Sequence, residues 1–96
     1  MEQIKKIAVG DKTVKAYCIP LQSKNFILIK GGKGYIMCGY LNILAAEVFS
    51  DAAIMIKGVS TIDQALDATV HSLTVSAARL GIKKGQSVRT VLKLIA

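Results

Sequence analysis

Cys38 has the clearest nucleophilic potential of any side chain in this sequence. It stands directly before Gly39 and Tyr40, where a short helix is expected to begin at the N-cap residue Asn42. A thiol just ahead of a helix N-terminus can be partly ionised at neutral pH, which makes it a nucleophile. The alternative is a small apolar core residue, the usual role of a cysteine in a strand. The sequence leaves a catalytic role for Cys38 open.

The sequence shows no clear base or metal ligand that could act together with Cys38. His71 is the one histidine, and its position is typical of a surface or capping residue. Cys18, Cys38 and His71 match no metal-ligand spacing. The glycine-rich residues 31–34 lack the pattern of a phosphate-binding loop, so they indicate a turn. We therefore expect neither a metal nor a cofactor.

A second segment of similar character follows the next apolar run, with a lysine and a glycine ahead of a predicted helix start. Helix N-termini offer unpaired N–H groups, glycines let a ligand approach the backbone, and a lysine adds positive charge. The alternative is that the glycines only permit turns and the polar residues only cap helices. Our first hypothesis is a small polar or anionic ligand bound where the two segments meet, at Gly39, Tyr40, Asn42, Lys57, Gly58, Ser60 and Thr61.

The two segments meet only if the strands before them are parallel neighbours. Residues 35–38 and 52–56 are both apolar, and the dozen or so residues between them suit the crossover that parallel pairing needs. The crossover contains apolar residues at helical spacing, namely Leu41, Leu44, Ala45 and Val48. The pattern predicts a βαβ unit whose strand ends lie at one edge of the sheet.

The remaining elements frame this unit. Residues 4–9 and 13–19 predict one hairpin, and residues 25–30 predict a second hairpin with residues 35–38. After a capping box at residues 60–63, an apolar stripe to Leu80 predicts two helices, or a helix, an extended piece and a helix. Ser87 caps a last helix. The expected fold is α/β (α+β), a small two-layer sandwich with a mixed sheet of about five strands, one βαβ unit and two or three helices.

Composition limits the class of protein. The 96 residues are 52% hydrophobic, which suits a single domain over residues 1–96, and their apolar runs are too short to span a membrane. The first residues lack the pattern of a secretory signal, so we expect a cytoplasmic protein with reduced thiols. The formal charge is +7, but its eleven lysines are spread along the chain and do not alternate with aromatic residues. We therefore expect a solvated cationic surface and no nucleic-acid partner.

Self-association is a further expectation. Residues 26–29, 35–38 and 52–56 are apolar on both faces, whereas few helical residues are available to cover them. Large apolar patches are rare on monomers, so a homo-oligomer, most simply a two-fold dimer, would provide the cover. The alternative is that the first hairpin folds over the second face of the sheet.

Three groups of residues resemble the YunC-like family of uncharacterised bacterial and archaeal proteins. They are residues 33–41 (KGYIMCGYL), Gly58-Val59 ahead of Thr61-Ile62-Asp63, and Leu80-Gly81-Ile82 with Gly85 after two lysines. The sequence departs from the family at Gln86, Ser87 and Val88, where Met and a second Gly are common. The resemblance implies a small two-layer α/β fold and no established function.

Three classes of function therefore stay open. They are a ligand-binding module at the strand ends, a thiol-dependent enzyme that uses Cys38, and a structural or oligomer-forming domain. Binding requires a concave site, and catalysis requires a base near the sulfur of Cys38. A structural role predicts a buried Cys38 with no cleft beside it.

Overall fold

The structure is a computed structural model that describes residues 2–96. These residues form six strands and four helices: β1 (Gln3–Val9), β2 (Lys12–Pro20), β3 (Asn25–Lys30), β4 (Tyr35–Met37), α1 (Ile43–Val48), β5 (Ala53–Met55), α2 (Ile62–Leu66), β6 (Ser72–Leu73), α3 (Val75–Arg79) and α4 (Val88–Ile95). No helix within residues 2–96 is long and apolar enough to cross a membrane.

All six strands belong to one mixed sheet and lie in chain order from β1 to β6. β4 and β5 are parallel, with Tyr35 beside Ala53, and the other neighbouring strands are antiparallel. The α/β (α+β) class and the βαβ unit are confirmed. Of the two alternatives for the stripe from Ile62 to Leu80, the structure has the helix, extended piece and helix. The extended piece is β6, which makes six strands instead of about five.

The inner face of the sheet carries the main core. Residues at every second position of β2 and β3, such as Val14, Ala16 and Ile27, are buried there. Helices α2 and α4 cover this face, and α4 contributes the predicted stripe of Val88, Val91, Leu92 and Ile95, all buried. Burying one apolar stripe of a helix against one face of a sheet is the standard way to build such a layer.

Helix α1 lies on the opposite, outer face, against β4 and β5. Its buried residue is Ala46, which packs with Met37 and Ala53. Most of the predicted stripe does not face the sheet, because Leu44 is 71% and Val48 80% exposed, whereas Leu41 packs against the outer-face cluster. The predicted stripe begins at Leu41, which lies ahead of the helix. The six-residue helix instead turns residues 43 and 46 toward the strands.

The first hairpin does not fold over the sheet, so that alternative is wrong. β1 pairs along its whole length with β2 and extends the sheet at its edge. On the outer face of β1–β3, Ile4, Lys15 and Lys30 are exposed and Leu28 is half-buried. No described helix makes extensive contact with this part of the outer face.

The hydroxyl of Thr74 ties the end of the crossover to β5 and α3. Its side chain is buried, and Oγ1 donates to the Asp51 carbonyl at 2.6 Å and accepts from the N–H groups of Ala53 and Ala77 at 3.1 and 3.2 Å. One donor and two acceptor positions exhaust the bonding capacity of a hydroxyl. The three bonds hold three elements at one atom.

A second bond fastens β4 to the same crossover. The Tyr35 hydroxyl donates to Asp51 Oδ2 at 2.7 Å. Burial raises the pKa of Tyr35 to about 12, and the hydrogen bond and negative charge of Asp51 act in the same direction. The phenol therefore stays protonated, and able to donate, throughout the neutral range.

The turn between β3 and β4 packs against the end of α4. The Gly31 N–H donates to the Gly34 carbonyl at 2.9 Å, and the Lys33 N–H donates to the Ile95 carbonyl at 2.8 Å. A Cβ on Gly31 would overlap the backbone carbonyl of Ile95. A Cβ on Gly32 would meet its nearest atom, in Ala96, at 3.7 Å, which is an ordinary contact.

We expect Gly31→Ala to lower the free energy of unfolding by about 2 kcal/mol, because the added methyl must displace backbone. Gly32→Ala is the matched control and should change it by less than about 0.5 kcal/mol. Urea denaturation midpoints measure both effects. Equal stability of the two variants would contradict the close packing of this turn on α4.

Candidate functional site

A cleft lies just beyond the ends of β4 and β5. It has a volume of about 630 Å³, within the range of small-molecule sites. Three segments form its walls: the turn between β2 and β3, the residues after β4, and the residues after β5. The lining residues are Ser23, Lys24, Asn25, Cys38, Gly39, Tyr40, Lys57, Gly58, Val59 and Ser60.

Parallel pairing brings the second and third walls together. Met37 of β4 accepts the Ile56 N–H at 2.9 Å, so both strands run out at the same edge of the sheet. The chain then turns after β4, where the Leu41 N–H donates to the Cys38 carbonyl at 3.2 Å. After β5, the chain turns at Gly58, whose φ of +73° favours glycine.

The first wall is fastened to the other two by side chains. Asn25 Nδ2 donates to the Ser60 carbonyl at 2.7 Å, and the Tyr40 hydroxyl donates to the Lys24 carbonyl at 3.5 Å. The first bond is short, and the second is at the limit of a hydrogen bond. Together they span the cleft from the start of β3 to both strand ends.

Cys38 lies at the base of the cleft with little exposure. Its residue is 5% exposed, and its Sγ accepts the Ile27 N–H at 3.4 Å. Its own N–H donates to the Ile27 carbonyl, which continues the pairing of β3 with β4. The one histidine, His71, is exposed and does not line the cleft. The Cys38 sulfur is thus buried like that of a core cysteine, although it lies beside the cleft.

Cys18 is too far from Cys38 for a disulfide. Cys18 pairs with Ile27 from β2 while Cys38 meets Ile27 from the other side, so the two cysteines are two strands apart. That separation is about 10 Å, beyond the roughly 7 Å that a disulfide can bridge. Both thiols are free and buried. Within residues 2–96 no group of three or more His, Cys, Asp or Glu could hold a metal ion.

The two helix starts are capped by their own side chains. Asn42 Oδ1 accepts the Leu44 N–H at 2.8 Å, and Thr61 Oγ1 accepts the Gln64 N–H at 3.0 Å. The capping box is therefore shifted by one residue from the predicted one, and Gln64 Oε1 accepts the Ser60 N–H at 2.7 Å. These three N–H groups are not free for a ligand.

Some of the predicted site residues line the cleft and others do not. Gly39, Tyr40, Lys57, Gly58 and Ser60 line the cleft, as does Cys38. Asn42 and Thr61 do not line it. Sequence reasoning missed the turn between β2 and β3, whose residues in the wall are Ser23, Lys24 and Asn25. Antiparallel pairing was the available signal, because β3 must begin where β4 ends.

The walls of the cleft carry positive charge. Lys24 and Lys57 are exposed in its walls, and none of the lining residues is acidic. The ion pairs among residues 2–96 lie elsewhere and join Lys5 to Asp63 and Arg89 to Asp67. No carboxylate therefore neutralises the two lysines across the cleft.

A family model and two known proteins match this chain. The family model described as "Domain of unknown function (DUF1805)" matches residues 37–95. The chain belongs to the DUF1805 family. The match begins at the last residue of β4, so it includes the second and third walls of the cleft and excludes the first.

Two relatives extend the match over the whole chain. The uncharacterised protein YunC of Bacillus subtilis (strain 168) is 38% identical over 96 residues, covering 96% of this chain and 95% of YunC. The crystal structure of TA1206 from Thermoplasma acidophilum, a protein of unknown function, superposes with a TM-score of 0.95 at 35% identity, over 100% of this chain and 94% of that one. The predicted YunC-like resemblance is confirmed, and neither relative's description indicates an activity.

We expect both thiols of the folded protein to react with iodoacetamide at least about tenfold more slowly than in urea, because both are buried. The single variants Cys18→Ser and Cys38→Ser assign the rate to each sulfur. The thiol-enzyme alternative requires the opposite result for Cys38, with modification in the folded protein clearly faster than that of Cys18. Slow and equal modification would remove that alternative.

Proposed function

We propose that this protein binds a small polar or anionic molecule in the cleft beyond β4 and β5. The observation that carries the proposal is the pair of exposed lysines, Lys24 and Lys57, in a cleft with no acidic lining residue. Positive charge that is not neutralised from within raises the local concentration of anions. Besides the two lysines, six polar or glycine residues in the lining supply hydrogen-bonding groups and room around them.

The position of the cleft also supports binding. β4 and β5 are the parallel pair among the described strands, and ligands of α/β sheets commonly bind outside the carboxyl ends of such strands. The helix ends add little to this argument, because α1 and α2 are short and capped by Asn42 and Thr61. The lysines and the loop backbone are the supporting groups.

Gly39 gives independent support. Its φ is not positive, and a Cβ built on it would meet nothing within 4 Å. Neither backbone strain nor crowding therefore explains a glycine here. A bare backbone on the cleft wall lets a ligand approach the peptide groups closely.

The test is titration with inorganic phosphate, followed by amide chemical shifts. We expect saturable shifts centred on Gly39, Gly58 and Ser60. The double variant Lys24→Gln with Lys57→Gln should weaken binding about tenfold, equivalent to ~1.4 kcal/mol. The matched control Lys83→Gln with Lys84→Gln removes the same charge from an exposed loop away from the cleft and should leave the affinity unchanged.

Two results would contradict the binding proposal. One is equal weakening by the cleft variant and the control, which would mean only general attraction to a cationic protein. The other is a set of shifts that avoids the cleft. A thiol-dependent enzyme that uses Cys38 is then supported only if the alkylation rates favour it.

We also propose that the protein forms a homodimer through α1. The supporting observation is a patch at the end of this helix, here called the α1 patch, in which Leu44, Val48 and Phe49 are 71%, 80% and 73% exposed. Val75 of α3 is also exposed and lies beside it, because its N–H donates to the Glu47 carboxylate at 3.0 Å. Contiguous exposed side chains of this size commonly mark an interface.

Sedimentation velocity tests the dimer. The wild type should sediment as a dimer at micromolar concentration, and Leu44→Glu with Val48→Lys should shift it to a monomer without changing net charge or lowering helix propensity. Ile4→Gln with Leu21→Gln is the control, since it removes two exposed apolar side chains elsewhere. A monomeric wild type, or dissociation by the control alone, would contradict the proposal.

We also propose that the protein is located in the cytoplasm. The support for this location is the pair of free, buried thiols, which a reducing compartment maintains.

A further inference from the structure

Strand pairing places three lysines in one row on the outer face of the sheet. Lys6 of β1 lies opposite Lys15 of β2, and Lys15 lies opposite Lys30 of β3. All three are exposed, and neighbouring strands are about 4.8 Å apart, so the row spans about 10 Å. In the sequence these residues are separated by eight and fourteen others. The strand register thus brings together lysines that are far apart in the sequence.

The row is not neutralised by nearby acids. The outer-face positions of β1–β3 contain no Asp or Glu, and the described ion pairs use Lys5 and Arg89 instead. The nearest acids are Glu2, ahead of β1, Asp11, in the turn between β1 and β2, and Asp51, which already accepts the Tyr35 hydroxyl beside Lys30. Like charges directly opposite each other disfavour a sheet, so the fold itself gains nothing from this row.

Protection of the sheet edge explains only one of the three lysines in the row. Lysines on an edge strand hinder pairing with other chains, which accounts for Lys6. β2 and β3 lie inside the sheet and have no free edge. Edge protection therefore does not account for Lys15 and Lys30.

Aromatic and apolar side chains form the next row on the same face. Tyr17 lies opposite Leu28 on β3 and Ile4 on β1, and Phe26 is its diagonal neighbour on β3. Both aromatic residues are half-buried, but Phe26 packs against the main core, whereas Tyr17 belongs to neither apolar cluster. Tyr17 also follows Lys15 by two residues, which puts phenol and ammonium on one face of one strand.

We propose that this face of β1–β3 binds a single-stranded nucleic acid, with phosphates on the lysine row and a base stacked on Tyr17. Open sheet faces with accessible aromatic rings are used in this way, because unstacked bases need a flat partner and phosphates need cations. The lysine row would repel the same face of a second copy. The surface is separate from the cleft, whose lysines are Lys24 and Lys57.

The experiment is fluorescence anisotropy with labelled RNA and DNA of one sequence and about a dozen nucleotides, a length that suits such platforms. The triple variant Lys6→Gln, Lys15→Gln and Lys30→Gln should weaken binding by at least tenfold. It should also lower the slope of log K against log salt by about 2, since each lost phosphate contact on a single strand contributes about 0.7. The control Lys83→Gln, Lys84→Gln and Lys93→Gln removes the same charge and should change binding less than twofold.

Tyr17→Leu separates base stacking from charge. It should weaken oligonucleotide binding about tenfold and leave binding of inorganic polyphosphate unchanged, because polyphosphate has no bases to stack. Thermal unfolding of each variant verifies that the sheet is intact. The lysine changes are at exposed sites and relieve repulsion, so they should not unfold it.

Three results would overturn the proposal. The first is equal loss of affinity in the lysine-row variant and its charge-matched control. The second is oligonucleotide binding that does not depend on Tyr17 and is no tighter than polyphosphate binding. The third is binding to vesicles of phosphatidylcholine and phosphatidylserine without binding to either oligonucleotide, which would make the face a membrane-contacting surface.

Discussion

Parallel pairing of β4 with β5 is the constraint on which the rest of the architecture depends. Two parallel neighbours cannot be joined by a tight turn, so the chain must leave the sheet plane and return across one face. Here it crosses the outer face as α1, and it leaves the inner face to α2 and α4. The same pairing makes both strands end at one edge, which creates two walls of the cleft. The position of the cleft and the order of the layers thus both follow from the parallel pairing of these two strands.

The crossover is held by polar bonds as well as by packing. The β4 and β5 strands are only three residues each, so their ladder alone is short. Thr74 adds three hydrogen bonds at one buried hydroxyl, and Tyr35 joins β4 to Asp51. The hydrogen bonds of each such group offset the cost of removing it from water. The strand ends, and with them the cleft walls, are fixed by groups that lie outside the cleft.

Three different surfaces result from this arrangement. The cleft is small, positive and partly built from loop backbone, which suits a small anion. The α1 patch is apolar because the helix is short and turns only one narrow face to the sheet, leaving Leu44 and Val48 in solvent. The outer face of β1–β3 is open because the crossover covers only β4 and β5. Its charge distinguishes it from the α1 patch.

The sequence alone determined the features that depend on neighbours within a few residues. Turns at glycines, caps at Asn42 and Ser87, the α4 stripe and the length of the crossover all follow from local dihedral preferences and short-range spacing. The second and third walls of the cleft could be predicted because one crossover relates them. The placement of Cys38, Gly39, Lys57 and Gly58 together followed from that step.

Only the tertiary structure decided the features that depend on register or orientation. The first wall of the cleft, with Lys24 and Asn25, comes from a strand paired across the sheet, and the lysine row comes from two registers in succession. The rotation of α1 and the three bonds of Thr74 also depend on elements distant in sequence. A shift of one residue in a strand would turn each side chain to the other face, and local patterns do not specify which partner a strand will meet.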